Sequence, residues 1–211
     1  MFQKYFFICN YLLVIVIALY YYKKYNHNKQ LLLFLAFLGY SLLTEISGTY
    51  IAFVLKINPA YIYNTWNVAN FVFFALFFLS KIENVFKRNL IKGLLLLYTV
   101  FFLINLIFYQ NFITTIFSYT IVLGNLLGAI IIMLYFGELL KSNLILNIKD
   151  SLYFWISIGV LIYNIGFIPV FVIGEYIDYT GVFRYVTFAL NILMAASFII
   201  GFIASKKEFN N

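Results

Sequence analysis

The chain has 211 residues, 65% of them hydrophobic and only 10% charged, with a net charge of +7. A soluble domain carries roughly 25% charged residues, so a mean hydropathy of +0.98 excludes a water-soluble globule and implies an integral membrane protein. A single cysteine, Cys9, and a single histidine, His27, exclude an intrachain disulfide and argue against a zinc site, which needs several such ligands.

Crossing a hydrocarbon core takes about 20 mostly apolar residues. Seven segments have that length, approximately 5–22, 30–55, 61–80, 91–109, 114–140, 151–174 and 183–204. They do not alternate as membrane strands do. The expected fold is an all-α membrane protein, a seven-transmembrane-helix bundle in one polytopic domain over 1–211. Only "YQN" separates the fourth and fifth segments, so six or eight spans stay open. The first segment lacks a small-residue cleavage site, and its stronger positive flank follows it (Lys23, Lys24). It reads as a retained anchor rather than a signal peptide.

Orientation follows from the basic residues. Lys23, Lys24, Lys29, Lys81, Lys87, Arg88, Lys92, Lys141, Lys149, Lys206 and Lys207 fall after helices 1, 3, 5 and 7. Lys4, Lys56 and Arg184 fall on the other side. The N-terminus is therefore expected outside and the C-terminus in the cytoplasm. The positive charge is expected to contact lipid and set topology; nucleic-acid binding is not expected. His27 reads as a solvated residue, and Glu175 with Asp178 as a solvated outer loop.

The chemistry centres on "SLLTEISGTYIA", residues 41–52. Glu45 sits about ten residues, or about 15 Å, from the outer end of helix 2. An acid at that depth costs about 2.5–3.5 kcal/mol on insertion scales and normally faces a cavity, a partner or the bundle interior. Ser41, Glu45 and Thr49 are spaced i, i+4, i+8 and share its face. Helix 3 offers Tyr63 and a stripe of Asn64, Asn67 and Asn70. Counting back from the short turn "KINPA" puts Asn70 level with Glu45. Asn125, Asn164 and Asn191 lie at similar depth in helices 5, 6 and 7. Together they predict one polar layer, serving as a binding or proton site or as interhelical hydrogen-bond glue. Pro169 is expected to kink helix 6 just outside it.

Gly124 and Gly128 in "GNLLG" form a GxxxG packing motif; homo-oligomer formation is one form such a contact takes. Ser197 and Gly201 repeat that spacing on helix 7. Trp66, Trp155 and the tyrosines read as interface anchors or core. No cofactor is expected. No nucleophile–base pair or metal set is visible, so no enzyme is expected.

A lysine in the last helix, needed for a retinal Schiff base, is missing before Lys206. Proline–glutamine pairs of the sugar-transporter type and the His/Asp core of membrane ceramidases are missing too. The stretch "TEISGTYIAFVLKINPAYIYNTWNVANFVFF" resembles small seven-helix membrane proteins and sensor-type membrane modules of Bacteroidota-like bacteria. The resemblance implies a multi-pass protein of a bacterial inner membrane and no reaction. The expected function is a receptor-like or sensory/accessory module. It would bind a small or apolar ligand, or a membrane partner, at the Glu45 layer, and signal through a cytoplasmic or membrane protein. The alternative is a small proton-linked transporter or channel gated by Glu45.

Overall fold

Single polar side chains set some of the helix starts in this protein. The computed structural model describes residues 2–25, 28–141, 143–174 and 181–209. The expectations placed on His27, Glu175 and Asp178 lie outside the described residues. The helices are α1 (Phe2–Tyr22), α2 (Lys29–Tyr50), α3 (Ala60–Leu79), α4 (Val85–Phe108), α5 (Ser118–Leu139), α6 (Leu152–Gly174) and α7 (Val182–Ala204). No strand occurs among the described residues. All seven helices are long and apolar enough to cross a membrane, the composition of a multi-pass membrane protein.

Two helix starts differ from the hydropathy reading. α4 begins at Val85 rather than at 91, because the Asn84 side chain accepts from the Lys87 backbone N–H at 3.1 Å and caps the first turn. That turn is basic, so hydropathy passes over it. α5 begins at Ser118 rather than at 114, because Asn64 holds the preceding segment in a connector. Its amide donates to the carbonyls of Phe112 (2.9 Å) and Thr115 (2.8 Å) and accepts from the Phe117 N–H (2.9 Å). α2 continues into a π turn, Ile51–Leu55, which Lys56 ends in the left-handed conformation (φ 55°). α6 runs on through Pro169.

Neighbour relations define the layout. α1, α2, α3, α5, α6 and α7 follow one another round a ring that closes by packing α7 on α1. α4 stands outside the ring, against α5 and α3. Small residues bring α6 and α7 together. Gly159 faces Ser197 and Phe198, and Gly201 faces Leu152 and Trp155. A β-carbon on Gly201 would lie 2.6 Å from that of Trp155, so only glycine permits this approach. The GxxxG glycines also face inward within the chain: Gly124 meets Tyr98 of α4 and Gly128 meets Asn164 of α6.

The two ends of the bundle differ. The end carrying the α1–α2, α3–α4 and α5–α6 connections is tied by polar contacts. Tyr25 donates to the Phe202 carbonyl at 3.0 Å, Gln30 to Ser80 at 2.9 Å, and Asn28 to the Tyr153 hydroxyl at 3.0 Å. Lys87 pairs with Glu138 at 2.6 Å, and Lys206 with Asp150 at 2.8 Å. Inward of these ties the bundle is filled with rings. Phe37 stacks on Phe73 at 4.2 Å, and Phe34 meets Phe198 edge-on at 5.2 Å. In a bilayer such close packing, rather than water exclusion, holds helices together, and each aromatic pair contributes about 0.5–1.5 kcal/mol. We call this end the closed end. The opposite end, with the N-terminus and the α2–α3, α4–α5 and α6–α7 connections, is hollow.

Candidate functional site

The ring of helices borders an open cavity of about 620 Å³ in its hollow half. Its wall takes side chains from every helix of the ring and none from α4. Glu45 of α2, Tyr63, Asn67 and Asn70 of α3, Asn125 of α5 and Asn191 of α7 all line it. Apart from Asn64, which holds the α4–α5 connector, the cavity thus collects six of the nine side chains that the sequence singles out. The remaining three lie beside it. Ser41 is buried, donates to the Phe37 carbonyl at 3.0 Å and accepts from the Trp66 indole N–H at 2.9 Å. It fixes a wall residue instead of forming the wall. Thr49 is half-buried and is not a lining side chain. Asn164 sits one layer away, against Gly128. It shares with Asn67, Asn70 and Asn125 a side void of about 20 Å³, room for about one water.

Turn counting places Asn70 opposite Glu45, but the group facing the carboxyl is the Tyr63 hydroxyl. Counting compares backbone heights, and a tyrosine side chain reaches beyond one helical turn of about 5.4 Å. Gly48 makes this possible. A β-carbon there would stand 2.5 Å from the Tyr63 hydroxyl oxygen.

The lining is aromatic on one side and amide-rich on the other. Tyr163 stacks on Phe167 at 4.5 Å, and Phe167 lies 5.4 Å from Phe171. Asn191 turns its amide back to the Thr187 carbonyl at 2.9 Å, and its own carbonyl accepts from Asn10 of α1 at 3.2 Å. Asn125 differs. It is 7% exposed, and its amide nitrogen has no hydrogen-bond partner. Buried polar groups are nearly always paired, so this nitrogen is an exception, and it is closed off from the cavity that the rest of the residue borders.

Sequence reasoning passed over Phe7 and Tyr11 of α1 and Thr187 of α7, which also line the cavity. Nothing in α1 distinguishes Tyr11 from its tyrosine neighbours until the ring closes. It also passed over Asn105 of α4, a buried amide that donates to Thr120 at 2.8 Å and to Gln110 at 3.0 Å.

A second cleft of about 470 Å³ opens at the closed end, lined by Lys81, Glu83, Glu138, Lys141, Tyr135 and Tyr153 among others. Phe74 and Phe78 lie between the two spaces: both line the side void next to the cavity, and Phe78 packs 5.2 Å from Tyr135 of the cleft. The Lys81 ammonium lies 3.8 Å from the centre of the Tyr153 ring. Burial pushes the Lys81 amine down to about 8.

Competitive acylation followed by mass spectrometry is expected to show Lys81 half-reactive near pH 8, whereas exposed lysines follow their ordinary value of about 10.4. Tyr153→Leu removes a ring that favours the cation and is expected to lower that midpoint further. Between about pH 8 and about 10.4 the folded protein holds fewer protons on this group than the unfolded chain, so stability rises with pH across that window. Lys81→Met removes the rise. A Lys81 midpoint matching the exposed lysines overturns the prediction.

Fold and cavity together define a class: an all-helical, multi-pass membrane protein with an internal chamber in one half. No known protein family, curated protein or solved structure matches the chain.

Proposed function

We propose that this protein is a non-enzymatic binding module of a bacterial inner membrane that holds a small ligand in the Glu45 cavity. The observation that carries the reading is the space itself: Glu45, Tyr63, Asn67, Asn70, Asn125 and Asn191, from four helices, border one open cavity. Pure hydrogen-bond glue would pair these groups with each other. A chamber of about 620 Å³ is within the usual range for small-molecule sites, about 300–1,000 Å³. Its lining mixes many apolar surfaces with a few polar groups, the usual make-up of such sites. The distribution of lysine and arginine supports placing the hollow end outside and the basic, closed end in the cytoplasm, where a protein partner would receive the signal.

A second reading, a small carrier, is favoured by one observation. The second cleft faces the opposite end, and Phe74 and Phe78 stand between the two spaces. Alternating access would need that aromatic layer to part.

The test uses a single cysteine at position 67 in a Cys9→Ser background, in sealed vesicles, with a membrane-impermeant thiol reagent. A binding module is expected to label from the outer face only. Labelling from both faces supports the carrier. No labelling from either face overturns the cavity as a ligand site.

A further inference from the structure

The charge balance of the cavity wall is one-sided. Among the described residues Glu45 contributes its only carboxyl, and no lysine or arginine lines it. The remaining polar groups are amides and hydroxyls. An intramembrane carboxylate is stable only with a counter-charge or with donors around it, and here the Tyr63 hydroxyl faces it, with Tyr11 nearby and no cation among the described residues. Rings dominate the remainder of the wall, with Tyr63, Trp66, Tyr163, Phe167 and Phe171 from α3 and α6. Ring faces attract cations and, by the same negative potential, disfavour anions. One acid, no base and a wall of rings form the complement of an ammonium on an apolar body.

From this we infer that the ligand is an organic cation: an amine whose ammonium meets Glu45 and whose apolar body lies among the rings. The inference rests on the ligand-binding reading above and names the class of ligand. An anion is disfavoured because it would meet Glu45 with no compensating base. A purely apolar ligand would leave the Glu45 carboxyl with its tyrosine contact alone in a water-poor space, at a cost.

Three probes of one shape separate head-group chemistry from fit: 1-adamantylamine, 1-adamantanol and 1-adamantanecarboxylate. The full chain in lipid nanodiscs, carrying Trp155→Phe, leaves Trp66 as the only tryptophan. Ser41 holds that indole in the cavity wall, so its fluorescence reports occupancy, with protein-free nanodiscs correcting for partitioning. At pH 7 the amine is expected to bind about tenfold or more tighter than the alcohol, as a charge-assisted contact predicts, and the carboxylate weakest. Glu45→Gln is expected to bring the amine to the level of the alcohol while alcohol binding is kept, which also shows that the variant folds. If all three bind wild type alike, or if the amine keeps its preference in Glu45→Gln, the cation inference falls and the ligand-binding reading stands. If none binds, both fall.

Discussion

Asn64→Leu is expected to destabilise the protein by about 3 kcal/mol or more. The side chain is 1% exposed and supplies the partners of three backbone groups, the carbonyls of Phe112 and Thr115 and the N–H of Phe117. Each buried group left unpaired costs about 1–3 kcal/mol. Leucine has similar bulk, so the loss isolates the hydrogen bonds from packing. Asn58→Ala is the control. Its amide makes one bond to the same connector, to the Thr114 carbonyl at 2.6 Å, in an exposed setting, and its oxygen accepts from the Ala60 N–H at 3.0 Å at the start of α3, so its loss is expected to cost about 1 kcal/mol. Unfolding titrations in mixed detergent micelles measure both. An Asn64→Leu protein as stable as wild type overturns the assignment. The same substitution is expected to weaken ligand binding, because Ile116 and Ser118, at the end of that connector, are part of the cavity wall.

Gly48→Ala carries the largest expected effect on the site itself. The added carbon would lie 2.5 Å from the Tyr63 hydroxyl oxygen and 2.7 Å from the ring carbon bearing it. Contacts that short force the ring to move, and overpacking of this kind costs about 1–3 kcal/mol. Tyr63 then leaves its place against Glu45, and the affinity for 1-adamantylamine is expected to fall about tenfold or more, which corresponds to about 1.4 kcal/mol. The Tyr63→Ala background distinguishes this route from general damage to α2. There the alanine at 48 meets no ring, so its stability cost is expected to vanish, as a double-mutant cycle reports. An equal cost in both backgrounds sinks the explanation.

Much of the frame is legible in the residues. Seven apolar runs are enough to place seven helices, because a bilayer leaves backbone polar groups no partners except those within a helix. Glu45 stands out for the same reason, since an acid in an apolar run demands an explanation. The asparagines at matching depth converge because neighbouring helices of similar length bring equal depths together. Other features depend on information outside hydropathy. The starts of α4 and α5 are decided by Asn84 and Asn64, single side chains that cap or staple backbone. The exclusion of α4 from the ring has no sequence signal, because its apolar surface reads the same facing lipid or facing protein.

The polar layer shows this division most clearly. Residue types and helical spacing alone determine that Glu45, Asn67, Asn70, Asn125 and Asn191 share a depth. Whether they meet as packed glue or around a space depends on the summed volume of side chains from six helices, and no one segment encodes that sum. Only the tertiary structure decides it. Rings of α2, α3 and α7 fill the closed half, while Gly48 lets Tyr63 settle beside Glu45 and the asparagines border a chamber of about 620 Å³. Helix packing is limited by contact between side chains, so the place where large residues stop meeting is where the protein becomes hollow.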